Sequence, residues 1–361
     1  MSDRDFSLYQ GKRVLLTGHT GFKGAWLATW LTELGAVVSG LALAPEGQPN
    51  LFEALGLADR LESSSIVDIR DKDAVTAEID RVKPEIVFHL AAQALVRRSY
   101  ADPIETFATN VLGTTNVLEA CRLQDSVTAV VCVTTDKVYE NYEWAWPYRE
   151  NDRLGGKDPY SASKACAEIV ASVYQGALNR ADNPVRIATA RGGNVVGGGD
   201  WSADRIVPDI VRALASGAPI VLRNPGAVRP WQHVLELCEG YLELGARLMR
   251  GDKFAEDAWN FGPLPTDQTR VDGVVEKFLD TWGGPDHPVD VRPSPLHEAR
   301  LLRLDISKAV SALDWQPRLS IDDTIGLTAE WYRAFYREPG SALAVTRDQL
   351  RRFRERAGLA T

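Results

Sequence analysis

The chain has little with which to build a metal site or a disulfide framework, and no run long enough to cross a membrane. Only 5 His, 4 Cys and 2 Met occur among 361 residues. The cysteines, Cys121, Cys132, Cys166 and Cys238, form no Cys-x-x-Cys pair and match no zinc spacing. Buried free thiols in a reducing cytoplasm are therefore expected. No stretch approaches the ~18 apolar residues that a membrane helix needs. The first residues, MSDRDFSLYQGKR, mix charges of both signs and show no apolar core of a secretory signal. Positive charge is not in excess either: Lys plus Arg total 41 and Asp plus Glu 49, a formal net charge of -8. That sign disfavours general binding to nucleic acid or anionic membrane. Phosphate groups would have to be met by backbone amides and a few placed cations.

Apolar residues are not scarce, at 45%, and with 25% charged residues they describe an ordinary globular protein of two lobes. Ten Trp promise many rigid aromatic contacts. The first half alternates short β-branched runs with helical patterns. Strands are expected at 12–17 (KRVLLT), 36–42, 65–67, 86–90, 129–134 and 185–190. Helices are expected at 22–34, from Asp71 to Val82, at 103–122 and at 159–178, where apolar residues recur at three- to four-residue spacing. Continuous apolar strands separated by helices predict an α/β fold, a doubly wound parallel sheet of Rossmann type, over residues 1–190. From 191 to 345 glycines and prolines interrupt the pattern, which suggests a smaller mixed α/β substrate lobe that crosses back to the first domain. The tail 346–361 carries Arg347, Arg351, Arg352, Arg354 and Arg356 and reads as a solvated basic helix.

The first strand runs into Gly18-His-Thr-Gly21-Phe-Lys-Gly24. Gly18 permits a tight turn, Gly21 lets the backbone approach a pyrophosphate, and Gly24 lets the next helix pack on the sheet. The helix N-terminus then offers free N–H groups to phosphate. The stretch after strand two, SGLALAP, has neither an acid for a ribose hydroxyl nor an arginine for a 2′-phosphate. Asp68 after strand three is placed to meet an adenine amino group or to cap a turn, and NAD is the expected dinucleotide. Its candidate contacts are Gly18, Thr20, Gly21, Phe22, Lys23 and Gly24, then Asp68 and Ile69, Leu90, Ala91 and Ala92, Asn110, and Thr134.

Tyr160-Ser-Ala-Ser-Lys164 places a phenol and an ammonium one helical turn apart. An ammonium there favours phenolate, which can accept an alcohol proton as hydride leaves the same carbon. Thr134-Thr135-Asp136-Lys137 ends strand five, where a doubly wound sheet binds its ligands.

Together TGHTGFKG, HLAAQ, TNVLGT, TTDKVY, YSASK, RGGNVVGGGDW, RPWQHV, WNFGP and LDISKA resemble an extended short-chain dehydrogenase/reductase. Over nearly the whole chain they look like a nucleotide-sugar 4,6-dehydratase, of the branch that acts on CDP-glucose rather than dTDP-glucose. The resemblance implies an internal redox reaction with tightly bound NAD, regenerated in each turnover: oxidation at C4, loss of water across C5 and C6, and hydride return to C6. It also implies a place in deoxysugar biosynthesis of the lipopolysaccharide O-antigen type. It further implies that Tyr160 is the C4 base, Lys164 its activator and ribose ligand, and Thr135 the partner of O4. For the elimination, Asp136 could deliver a proton to O6. Lys137 could accept the C5 proton when neutral, or stabilise the enolate oxygen when charged. Arg229 matches the position that grips the nucleotide diphosphate, and Asn194 one that meets phosphate or sugar. Gln93, Trp201, Arg205, His233, Asn260 and His297 are further substrate candidates. No metal is expected. A homodimer or dimer of dimers is implied, with helices 103–122 and 159–178 at the interface. An epimerase of the same fold would not need the Asp136–Lys137 pair. A silent NAD-binding scaffold would not need Tyr160 and Lys164.

Overall fold

Strands made wholly of apolar residues need cover on both faces, and the fold supplies it. The computed structural model describes residues 5–264, 269–292 and 301–359. One sheet contains β1 (Arg13–Thr17), β2 (Val37–Ala42), β3 (Ser63–Ile66), β4 (Ile86–His89), β5 (Ala129–Val133), β6 (Arg186–Arg191) and β7 (Ala258–Asn260). Its order is β7-β6-β5-β4-β1-β2-β3, and every neighbouring pair is parallel. The period of two sends Leu16, Phe88 and Val131 to one core and Leu15, Val87 and Val130 to the other. The order reverses between β1 and β4, and it is at such a reversal that the strand carboxyl ends open a crevice.

The second lobe is tied to this sheet. Its helix Val234–Met249 is buried along most of its length, and the Tyr9 hydroxyl donates to Leu242 O at 2.7 Å. β7 extends the sheet beyond β6 through the register Ala258–Thr189, Trp259–Ala190 and Asn260–Arg191.

Two elements differ from the simple periodic reading. The region 103–122 is not one regular helix: it runs as Pro103–Phe107, then a π-helical stretch Ala108–Gly113, then Thr114–Leu123. The wide turn coincides with Asn110, whose amide is held by Gln93 and Ser163. Gly113 also faces Ile69 so closely that a Cβ would lie 2.6 Å from its Cδ1. π-Bulges of this kind cluster at functional sites. The arginine-rich C-terminal helix, Ala342–Ala357, is wet on one side only. Arg347, Arg352 and Arg356 pair outward with Glu33, Glu330 and Asp323. Its other face enters the core, with Phe353 edge-on to Trp30 and Thr346 accepting from Trp331 Nε1 at 2.8 Å.

The tryptophans lock the lobe to the sheet. Trp26 Nε1 donates to Gly198 O at 2.9 Å, and a Cβ on Gly198 would lie 1.9 Å from Trp331 Cγ. A Gly198→Ala substitution must therefore push a fully buried indole aside. It is expected to destabilise the fold by about 1–3 kcal/mol, read as a lower urea midpoint, with an unchanged midpoint contradicting the packing.

Candidate active site

The end of β1 is shaped by absent side chains. Gly18 has φ 75°, and a Cβ there would meet Ala91 N at 2.8 Å. A Cβ on Gly24 would lie 2.1 Å from Gly18 O. Gly21 caps the helix Phe22–Glu33 without any side-chain hydrogen bond, so the first amides of that helix remain available to an anion. Thr20 Oγ1 donates to Leu43 O at 2.9 Å, closing the turn over β2. This cradle fits a dinucleotide pyrophosphate in shape and charge.

Behind it runs a buried relay. The Thr17 hydroxyl lies 2.8 Å from His89 Nδ1, His89 Nε2 lies 3.0 Å from Thr114 Oγ1, and Thr114 donates to Asn110 O at 2.7 Å. Because Thr114 spends its proton on Asn110, His89 must carry its proton on Nε2 and accept from Thr17. Thr17 Oγ1 is then free to accept from Leu90 N and Ala91 N, both at 3.1 Å. The relay fixes the β4 loop of Leu90, Ala91 and Ala92. Asp68 is held by Arg70 at 2.5 Å, and that ion pair keeps its carboxyl below the usual range.

The helix Pro159–Gln175 begins at the Asp158 cap and Pro159, two strong start signals. Asn110 Nδ2 donates to Ser163 Oγ at 2.9 Å, which in turn donates to Tyr160 O at 2.7 Å. Lys164 Nζ donates to Val133 O at 2.9 Å. Burial lowers the Lys164 ammonium to about 8. The Tyr160 phenol is not depressed as its spacing from Lys164 suggests: burial pushes it up to about 12, with the contact to Thr135 opposing. Thr135 Oγ1 donates to Asp136 Oδ1 at 2.9 Å. Asp136 is buried, its Oδ2 has no partner among the described residues, and its N–H donates to Gly192 O at 3.2 Å. Gly193 must be glycine, since a Cβ would lie 2.0 Å from that Oδ2.

Thr134, Thr135, Asp136 and Tyr160 open into one chamber of about 720 Å³, lined by both lobes, whereas Lys164 and the glycines of the β1 turn are not part of its lining. Lys23, Thr134, Thr135, Asp136, Lys137 and Tyr160 face Asn194, Arg205 and Arg229 across it. Asn194 takes φ 47°, a conformation asparagine tolerates better than most residues. Arg205 pairs with Asp200 at 2.9 Å. Burial, with Arg205 and Lys164 nearby, lowers Lys23 to about 8.

Of the substrate candidates, four stand outside the chamber lining. Gln93 is buried and spends its amide on Thr106 and Leu95. Trp201 packs among Trp331, Tyr332 and Phe335. His233 caps the helix Val234–Met249 and lies edge-on to Trp26. Asn260 is fully buried and bonded to Tyr139, Tyr148 and Asp305. His297 lies outside the described residues. Sequence reasoning missed Glu168, Arg191 and Tyr139, which form a buried charged cluster beside the carboxyl ends of β5 and β6. The one available signal was an arginine closing an otherwise apolar run, IATAR.

A doubly wound sheet with a glycine cradle and a Thr–Tyr–Lys set at its strand ends defines a short-chain dehydrogenase/reductase. The chain belongs to the GDP-mannose 4,6 dehydratase family, whose model matches residues 15–328. It is 47% identical over 350 residues to the CDP-glucose 4,6-dehydratase of Salmonella typhimurium, covering 93% of this chain and 94% of that one. Among solved structures it resembles dTDP-glucose 4,6-dehydratase from Streptomyces venezuelae with NAD and TYD bound. That match has a TM-score of 0.75 and 26% identity over 89% of this chain and 97% of that one. UDP-glucose 4-epimerase from Thermotoga maritima shares the fold, with a TM-score of 0.76 and 22% identity over 90% of this chain and 99% of that one.

Burial also sets a pH dependence. His19, His89 and His233 are pushed down to about 4, 3 and 3 by burial. An unfolded chain protonates these rings below pH ~6.5, so the fold binds fewer protons and loses stability as pH drops through that window. Glu236 works the other way. Burial beside Glu239 raises it to about 8, and its contribution grows as pH falls toward ~4.5. Burial raises Glu150 in the same sense; the three rings outweigh these two carboxyls, so stability falls between pH 7 and pH 5. The urea midpoint should fall accordingly, and a midpoint that rises on acidification would contradict this balance.

Proposed function

We propose that the chain is an NAD-dependent 4,6-dehydratase that converts CDP-glucose to CDP-4-keto-6-deoxyglucose in deoxysugar biosynthesis. The observation that carries this reading is the meeting of two chemistries in one chamber. Tyr160, one helical turn before Lys164, serves oxidation at C4, and Asp136 and Lys137 line the chamber with it for elimination. An epimerase requires only the first set. The similarity to the Salmonella enzyme supports cytidine as the base.

The glycine cradle, the relay from Thr17 to Asn110, and Lys164 are the groups that would hold NAD. When bound there, NAD supplies a reversible hydride store and, oxidised, a positive ring that favours phenolate. Arg70 and Arg98 are already paired with Asp68 and with Glu46 and Glu105, which supports NAD over its 2′-phosphorylated form. Tyr160, as phenolate, takes the proton of the C4 hydroxyl while Thr135 holds O4. The resulting ketone acidifies the C5 proton. Lys137 accepts that proton, and Asp136 donates one to O6 as the C6–O6 bond breaks and water leaves. Arg229 and Arg205 hold the diphosphate, where a guanidinium fork suits phosphate geometry.

A dimer fits the surface. Ile104, Leu112, Ile169 and Val173 are exposed, at 79%, 61%, 54% and 42%, on the two helical segments expected at the interface. Their burial against a second copy would form a four-helix contact. Among the described residues no helix is long and apolar enough to cross a membrane. The four cysteines are all free, which supports a cytoplasmic setting.

Incubated with CDP-, dTDP-, UDP- and GDP-glucose, the enzyme should release a product lighter by one water from CDP-glucose. Turnover of another nucleotide-glucose but not this one would refute the substrate. Lys137→Met should still reduce bound cofactor on CDP-glucose, seen by absorbance, yet lose dehydration. Product formation at the wild-type rate would refute the role of Lys137.

A further inference from the structure

Asp136 and Lys137 sit on a single 3-10 turn, Asp136–Val138, too short to hold a geometry unaided. Tyr139 follows immediately. Its ring stacks on Tyr148 at 5.2 Å, and its hydroxyl donates to Asn260 Oδ1 at 2.7 Å while accepting from Arg191 Nη1 at 2.8 Å. Arg191 and Glu168 pair at 2.9 Å, and neither side chain is more than 4% exposed. The Arg191 Nε donates to the same carboxylate at 3.0 Å, and Nη1 also donates to Glu150 O at 2.9 Å. Glu168 further accepts from Thr134 and, at 2.7 Å, from Thr189.

This cluster grips the turn from both sides. Beyond Asp136–Lys137 it holds Tyr139. Before them it holds Thr134. Arg191 also begins the loop whose Gly192 O accepts from Asp136 N, and whose Gly193 leaves room for the Asp136 carboxylate. Tyr160 and Lys164 share a helix with Glu168 and have further anchors of their own, through Ser163 and Val133.

We propose that Arg191 and Tyr139 are positioning residues for the elimination step, fixing Asp136 and Lys137 against the Tyr160–Lys164 helix. This rests on the dehydratase reading above. Tyr139 borders the chamber but spends its hydroxyl on Asn260 and Arg191, and Arg191 is not part of the lining. Losing their contacts lets the Asp136–Lys137 turn drift, while Ser163 and Val133 still anchor Tyr160 and Lys164. Displacements of about 1 Å in such groups cost roughly a hundredfold in rate.

The test uses NAD-loaded enzyme, wild type beside Tyr139→Phe and Arg191→Lys. Phenylalanine keeps the ring on Tyr148. Lysine keeps the charge for Glu168 but cannot reproduce the fork that reaches Tyr139 and Glu150. With CDP-glucose, each variant should accumulate bound reduced cofactor, with KM little changed and product formation slowed roughly ten- to a hundredfold. Equal loss of cofactor reduction and product formation, or failure of both variants to fold, would leave the cluster a structural role only and overturn the proposal. Wild-type rates in both variants would overturn it too. If wild type forms product and neither variant accumulates reduced cofactor, the positioning role fails and the dehydratase reading stands. If wild type forms no product, both fail.

Discussion

A guanidinium and a carboxylate sealed from water, Arg191 and Glu168, set the geometry on which the far side of the site depends. Two charges cannot leave water cheaply. Their desolvation is offset only when every lone pair and proton finds a partner. Here Thr134, Thr189, Tyr139 and the Glu150 carbonyl complete the set. Removing one member of such a pair costs about 3–5 kcal/mol. The pair therefore joins the end of β5, β6, the Tyr160 helix and the loop leading to Tyr148 into one body.

The opposite wall is built without charge. Gly18 and Gly24 bring the β1 turn against its own helix, and the neutral relay from Thr17 through His89 to Asn110 fixes the β4 loop beside it. Asn110 then reaches across to Ser163 on the Tyr160 helix. A cofactor cradle and a pair of proton-transfer groups thus share the same hydrogen-bonded frame. An enzyme that stores hydride and returns it within one turnover needs that frame, because cofactor, C4, C5 and C6 must be served without release. The chain's net charge of -8 is compatible with this chemistry, since Lys23, Arg205 and Arg229 are concentrated on the chamber.

The parts readable from sequence were those whose signal is local. The glycine turn, the Tyr160–Lys164 spacing and the strand-end Thr135-Asp136-Lys137 each state their chemistry within a few positions. The chamber lining gathers Asn194, Arg205 and Arg229 with Lys23, Thr135, Asp136, Lys137 and Tyr160. What was not readable depends on register between distant strands. Asn260 and Arg191 lie opposite one another only because β7 adds to β6 in one register, and that makes Asn260 a partner of Tyr139 rather than part of the chamber lining. Gln93, Trp201 and His233 are polar or aromatic residues in diagnostic motifs, yet their neighbours consume them as packing and caps. The π-helical turn at Asn110 was hidden because a helix of either kind keeps nearly the same apolar spacing. The arginines at the C-terminus concealed a buried face made by Thr346, Gln349, Leu350 and Phe353.

The most direct test follows one atom. CDP-glucose carrying deuterium at C4 should give a product with that deuterium in the C6 methyl group, because hydride leaves C4 and returns within the same chamber. Deuterium retained at C4, or lost to solvent, would contradict an internal transfer and with it the assignment of this site.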